Sequence, residues 1–316
     1  MDGLLPVAAS PGTVSSALLR QQTLKTAMRC TGIGLHTGRK VDVSLLPAPA
    51  NTGIVFRRTD LGLDIPARFD RVVDTQLCTV LGLPDRREAR VGTVEHLMAA
   101  LAATGVGNLI VEVDGPELPV LDGSAEPWLF LIECAGVATL EASAVEIEVL
   151  RPVRVADGDA FAELRPGAGG CLELSLAIDF QAAAIGRQAL SLSLRGDAFR
   201  EIARARTFTQ AHEIAGLRAA GLAKGGTLEN AVVVDGATVL NPTGLRMQDE
   251  FVRHKLLDAV GDLALAGAGL RGRFIGHRSG HALNNQVLRA LFAEPANWRP
   301  VRVDGLGWMH EEAAAA

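Results

Sequence analysis

An α+β fold in two similar halves is what the sequence predicts, on three observations. Runs that alternate apolar and polar side chains stand beside runs of helical period. In each half strands precede helices and further strands are mixed in, without regular βαβ alternation. One pattern also occurs twice, TVEHLMAALAATGVGNLIVEV (93–113) and FVRHKLLDAVGDLALAGAGLRGRFIG (251–276). Both copies carry Val-x-His, an apolar helix, glycine and a strand, so His96 and His254 fall at the same place. A duplication would bring the two histidines together where the domains meet.

The opening MDGLLPVAASPGTVSSALLRQQ has Asp2, no Lys or Arg before its apolar stretch, and two prolines. It makes a poor signal peptide, and residues 1–20 are expected to form a loose tail. KVDVSLLPA (40–48) alternates Val41, Val43 and Leu45 with Lys40, Asp42 and Ser44, a half-buried strand. A helix follows over 93–104, where Val94, Leu97, Met98 and Leu101 hold one face and Thr93 is expected to cap it. NLIVEVDG repeats the strand pattern through Leu109, Val111 and Val113. A second helix, 124–135, stops at Gly136.

The domain boundary is expected near 138–148, which puts domain I at 21–142 and domain II at 143–305. Domain II has helical period at 197–206 and 249–266, the latter stopping at Gly267. Between them, AVVVDGATVLN places Asp235-Gly236 between apolar runs, a hairpin signal. Residues 306–316, ending EEAAAA, read as another tail.

The chain's bulk properties exclude some roles. Its 316 residues are 48% hydrophobic, enough for substantial cores, with net charge −5 and no long basic run. Nucleic acid is therefore not an expected partner. No run of eighteen apolar residues exists, so no membrane-spanning helix is expected. Cys30, Cys78, Cys134 and Cys171 form no C-x-x-C motif and no disulfide framework, which points to a reducing cytoplasm. Each is expected as a small buried apolar residue. A monomer is expected.

DEFVRHKLLDAVGDLAL (249–265) lines up His254, Asp258 and Asp262 at four-residue intervals on one helix face. Burying such groups is costly unless they are paired or bind a metal. Taken alone, H-x-x-x-D reads as a hydrogen-bonded pair on a partly solvated face. Glu95 and His96 begin another helix, where a glutamate is favoured by the helix dipole or can act as a base beside a ligand. GHRSGHALNN (276–285) reads as a polar loop with His277 and His281, in which the histidine spacing proves little. Together these segments supply His96, His254 and Asp258 as three ligands of an open catalytic zinc site. Glu95 is then the general base and His281 the general acid of a metal-assisted hydrolysis. The same ligands suit a non-haem iron oxygenase, although that chemistry needs no adjacent base. A binding module with a structural metal is the non-catalytic alternative.

TVEHLMAAL, LPVLDGSAEPW, RARTF, FVRHKLLDAVGDL and SGHALNN, with GIGLHTG and DTQLCTVLG in the same order, resemble the UDP-3-O-acyl-N-acetylglucosamine deacetylases of lipid A biosynthesis over roughly residues 22–292. The resemblance implies two similar domains whose helical layers face each other in a β-α-α-β sandwich, with the active site between them. It implies zinc-dependent removal of the N-acetyl group from a UDP-linked 3-O-acyl amino sugar, with ferrous iron as an alternative metal. By motif, His96, His254 and Asp258 would bind the metal and Glu95 would take a proton from its water. His281 would stabilise the oxyanion or protonate the leaving amine, held charged by Asp262, while Thr207 would hydrogen-bond the carbonyl oxygen.

Lys255 and Arg278 would meet the sugar or diphosphate, with Arg278 standing where a lysine is expected. Phe208 would lie near the nucleotide, and Leu77 and Cys78 would line the site or the acyl passage. Ala160 and Gln210 depart from the lysine and aromatic residue found in some members. His36 matches the family with a structural role expected, His277 is not expected as a ligand, and His212 and His310 are expected to be solvated.

Overall fold

The computed structural model describes residues 20–194 and 196–302. Most of both expected tails, and His310 with them, lies outside these residues, while Arg20 already begins a strand.

Elements are numbered in chain order. The first half contains β1 (Arg20–Leu24), β2 (Met28–Ile33), β3 (Lys40–Pro47), β4 (Ile54–Arg58), β5 (Leu63–Pro66), β6 (Val72–Asp74), β7 (Val80–Leu83) and β8 (Arg86–Val91). Helix α1 (Glu95–Thr104), β9 (Leu109–Val113), α2 (Glu126–Ala135) and β10 (Val137–Ser143) follow. The second half begins with β11 (Val145–Val149), β12 (Val153–Asp157), β13 (Ala160–Arg165), β14 (Leu172–Asp179) and β15 (Arg187–Ser193). Then come α3 (Arg200–Ala203), β16 (Phe208–Gln210), α4 (Ala211–Ala219), β17 (Val232–Asp235), β18 (Thr238–Val239), α5 (Glu250–Ala264), β19 (Gly269–His277), α6 (His281–Ala293) and β20 (Trp298–Arg302).

The two main sheets repeat one topology. In the first the order is β2-β3-β9-β4-β5, antiparallel throughout except for the parallel pair β4–β9. In the second, β12-β13-β19-β14-β15 has the same order and the same single parallel pair, β14–β19. The middle strand of each five-strand order, β9 or β19, follows the helix that carries the repeated histidine, α1 or α5. The doubled sequence pattern thus corresponds to a doubled fold. β11 and β20 extend the second sheet, while β1 and β10 pair separately.

Alternation builds the inner face of the first sheet. Val41, Val43 and Leu45 of β3 are buried, as are Leu109, Val111 and Val113 of β9. Val43, Leu45, Leu109, Val111 and Val113 share one core cluster with Leu97 and Leu101 of α1 and Trp128 of α2. Helices α5 and α6 pack on the second sheet, and α1 packs chiefly on α5. The layers therefore run sheet, helices, helices, sheet. Removing this apolar surface from water drives the association at about 25 cal/mol per Å².

Several local expectations need correction. Thr93 does not cap α1; it sits at φ 56° and gives its hydroxyl to Glu117 instead. The helix expected over 197–206 is a 3-10 turn, Gly196–Phe199, followed by the four-residue α3. The chain leaves it early because Glu250 captures both the backbone N–H and the guanidinium of Arg206. GHRSGHALNN is only partly loop, since α6 begins at His281. Cys78 and Cys171 are buried, but Cys30 is half-buried and Cys134 exposed. Cys134 lies on the outward face of α2 rather than in the core. The Asp235-Gly236 hairpin forms as expected, pairing β17 with β18.

Candidate metal centre and active site

The first turn of α1 crosses α5 at closest range beside Gly261. A Cβ placed there would stand 2.0 Å from the Glu95 carbonyl oxygen, so only glycine permits this crossing. The approach brings together the repeated histidines, whose rings meet edge to face with centroids 5.1 Å apart. One turn beyond His254, Asp258 projects into the same space. Its Oδ1 lies 3.4 Å from His254 Nε2 and 3.7 Å from His96 Nε2. One ligand atom from each residue falls within 4.8 Å of the others, and all three residues are buried.

Asp258 Oδ1 is buried with no hydrogen-bond partner, whereas Oδ2 accepts from Lys255 Nζ at 2.9 Å. A bare carboxylate oxygen facing two imidazole nitrogens is costly unless a cation lies between them. Two nitrogens and one oxygen suit zinc with a position left open. His254 is held for that role. Its Nδ1 lies 3.0 Å from the Ala205 carbonyl, which can only accept, so Nδ1 carries the proton and Nε2 is free to ligate. Burial lowers the His254 pKa to about 4 despite the opposing pull of Asp258, so the ring is neutral. Burial opposes charge on Asp258 too, but the pull of its neighbours, the Lys255 ammonium at 2.9 Å among them, outweighs it and holds the carboxyl well below the usual carboxylate range.

Beside this centre two groups are shifted upward. Burial raises the Glu95 pKa against the pull of His281 and His96. Burial opposes the charge on His281, but Asp262, through charge and hydrogen bond, and Glu95 outweigh it and lift its pKa to about 9. His281 Nδ1 donates to Asp262 Oδ2 at 2.8 Å, and its Nε2 lies 3.9 Å from Glu95 Oε1. A carboxyl inclined to take a proton thus faces an imidazolium inclined to keep one.

Glu95, His96, His254, Asp258, His281, Lys255, Thr207, Phe208, Leu77 and Cys78 all line one cavity of ≈ 210 Å³. Asp262 stands behind His281. Thr207 is fixed through its backbone, which donates to the Gly123 carbonyl and accepts from the Val232 N–H, both at 2.8 Å. The buried Arg206–Glu250 pair beside it anchors the same segment. Phe208 packs edge to face on Phe251 and Phe180. Leu77 has φ 68° and is 47% exposed at the rim, while Cys78 is buried within, where burial pushes its thiol pKa up.

Arg278 lies elsewhere, in an adjoining cavity of ≈ 410 Å³ that shares Phe180, Gln210 and Lys255 with the first. Gln210 lies at the start of α4, where it forms a reciprocal cap with Glu213. Ala160 lines neither cavity. His277 stacks on Phe161 away from the three ligands. His212 is exposed and borders the second cavity. His36 lines the first cavity, both its ring nitrogens unpartnered, and burial lowers its pKa.

Reading the sequence missed several residues that build this site. Buried Glu117 collects the His36 and Thr37 N–H groups and the Thr37 and Thr93 hydroxyls, which fastens the GIGLHTG turn beside the cavity. Asn284 donates to Asp262 Oδ2 at 2.9 Å. Thr79 touches both Glu95 and Asp262. Thr79 and Asn284 lie within motifs of the resemblance, but no local pattern marks what any of these residues does, because each acts on a group distant in sequence.

Comparison with known proteins supplies the lineage. The profile of the UDP-3-O-acyl N-acetylglycosamine deacetylase family matches residues 21–293. A UDP-3-O-acyl-N-acetylglucosamine deacetylase of Anaeromyxobacter dehalogenans is 50% identical over 286 residues, 90% of this chain and 91% of the relative. One from Idiomarina loihiensis is 49% identical over 292 residues, 91% of this chain and 94% of the relative. One from Shewanella frigidimarina is 46% identical over 290 residues, with 91% and 94% covered. With a match that spans both halves and every segment lining the cavity, the chain belongs to the UDP-3-O-acyl N-acetylglycosamine deacetylase family.

Proposed function

We propose that this chain hydrolyses the N-acetyl group of UDP-3-O-(3-hydroxyacyl)-N-acetylglucosamine, giving the free amine and acetate in lipid A biosynthesis. The reading rests on family membership and on one observation above others. The orphaned Oδ1 of Asp258 faces the imidazole nitrogens of His96 and His254, beside a base and an acid shifted to complementary states.

His96, His254 and Asp258 would hold a zinc ion. When bound, it polarises an amide carbonyl and lowers the pKa of its water to about 7. Glu95 accepts the proton of the attacking water at a carboxylate oxygen. His281, protonated and steered by Asp262, stabilises the oxyanion or delivers its Nε2 proton to the departing amine. The Thr207 hydroxyl donates to the carbonyl oxygen as negative charge grows there, an interaction worth about 3 kcal/mol in such sites. Lys255 at the junction of the cavities and Arg278 in the second balance the diphosphate. Phe208 packs near the nucleotide, and Leu77 with Cys78 forms an apolar wall for the acyl chain.

Ferrous iron suits the same donors and is the alternative metal. Glu95 beside His96 favours hydrolysis over oxygenation. The free thiols of Cys30, Cys78 and Cys134 fit the proposal that the reaction takes place in a reducing cytoplasm. The test is acetate release from the nucleotide-linked substrate, measured with bound metal and dissolved oxygen. One acetate per amine, no oxygen uptake and about one metal per chain support the reading; a metal-loaded chain that releases no acetate overturns it.

A further inference from the structure

The turn between β6 and β7 places one buried residue against both sides of the proton-transfer apparatus. Thr79 is 1% exposed. Its backbone N–H donates to Glu95 Oε2 at 3.1 Å, and its hydroxyl donates to Asp262 Oδ1 at 2.5 Å. Its carbonyl accepts from the Val94 N–H at 3.5 Å, at the entrance of α1. Thr79 thus uses every polar group it has. Two of its partners begin α1 in the first half, and the third lies in α5 of the second.

The opposite oxygen of Asp262 is committed as well. Oδ2 accepts from His281 Nδ1 at 2.8 Å and from Asn284 Nδ2 at 2.9 Å. With one oxygen held by Thr79 and the other by two donors, the carboxylate cannot rotate without breaking hydrogen bonds in a buried site. The segment leading to Thr79 is tied to the second half. Phe69 N–H donates to the Leu265 carbonyl at 2.8 Å, Asn285 donates to the Phe69 carbonyl at 3.0 Å, and Arg289 donates to the Val72 carbonyl at 3.1 Å.

We propose that Thr79 is a positioning residue for the deacetylation, a bridge that sets the Glu95 carboxylate and the Asp262–His281 pair in register for successive proton transfers. This rests on the function proposed above. Thr79 acts through Asp262 and Glu95 and does not itself exchange a proton with substrate. Valine keeps its shape and its N–H but leaves Asp262 Oδ1 without a donor. Serine keeps the donor.

The test compares kcat and KM for wild type, Thr79→Val, Thr79→Ser, Asp262→Asn and the double variant Thr79→Val/Asp262→Asn, with Tm and bound metal measured for each. Thr79→Val is expected to lower kcat at least about tenfold with KM within about twofold, while Thr79→Ser restores most of the loss. In the Asp262→Asn background the valine is expected to cost less than about twofold more, because the two changes break one unit. Tm and metal per chain stay at their wild-type values. If valine does not fold, Thr79→Ala fits the same space and takes its place.

Wild-type kcat in the hydroxyl-free variant overturns the inference. So does a full multiplicative loss on top of Asp262→Asn, or an equal loss in serine and valine. A wild-type chain without deacetylase activity overturns the functional reading, and the inference with it; an active wild type beside an undiminished valine variant overturns the inference alone.

Discussion

Glu95 and His281 face each other across 3.9 Å, and their surroundings shift them in the directions that the opposite tasks proposed for them require. Because Asp262 and Glu95 raise the His281 pKa to about 9, the ring keeps its proton at neutral pH and loses it as pH rises through that value. Its contribution to stability is therefore full below pH 6.5 and disappears through about 9. Activity that needs this proton should fall on the same alkaline limb. A kcat/KM profile should show it, and Asp262→Asn should move it toward lower pH. Glu95→Gln should reduce kcat by about 10²–10⁴-fold while about one metal per chain remains, read by steady-state kinetics beside metal analysis.

At this scale legibility in the sequence followed locality. The spacing of His254, Asp258 and Asp262 could be read because it lies within one helix. Thr79 could not, because Asp262 lies 183 positions away, and a threonine after a cysteine carries no mark of that partner.

Among the elements, the crossing of α1 over α5 has the least tolerance. Gly261→Ala would press a methyl against the Glu95 backbone, so the helices must separate where the proposed ligands converge. A loss of about 1–3 kcal/mol is expected in urea unfolding, with activity reduced more than stability alone explains. The buried Arg206–Glu250 pair is the second sensitive point. Glu250→Gln removes the countercharge of a guanidinium buried among helices and should cost about 3–5 kcal/mol in the same measurement.

Strands and helices with clean period were legible, including β3, β9, α1, α2 and α5. Helix α6 was overlooked although Leu283, Val287, Leu288 and Leu291 make one buried face. The glycines and asparagines around His281 hid that face within a window too short to reveal it. The helix expected at 197–206 was overextended because its apolar period runs on through Ala205, whereas α3 ends at Ala203.

On the scale of the whole molecule, the two sheets of like topology press their helices together, and the centre belongs to neither half alone. His96 comes from one side, and His254 with Asp258 from the other. Chelation should abolish acetate release, and zinc or ferrous iron should restore it. At about one hundred times its dissociation constant, the metal should add about 2.7 kcal/mol to stability, visible as a rise in Tm. The doubled topology was foreshadowed by the repeated Val-x-His, while the matching strand order emerges only from the pairing of distant segments.

The duplication is also imperfect at an informative place. Where α5 has Asp258 one turn after His254, α1 has Ala100 one turn after His96, and that alanine is fully enclosed. A faithful twin would have set a second acid there and offered a metal four side chains, the saturated shell of a purely architectural zinc. For the metal proposed here, the lost symmetry would leave a berth for solvent, so one missing carboxyl group would separate a rivet from a reagent.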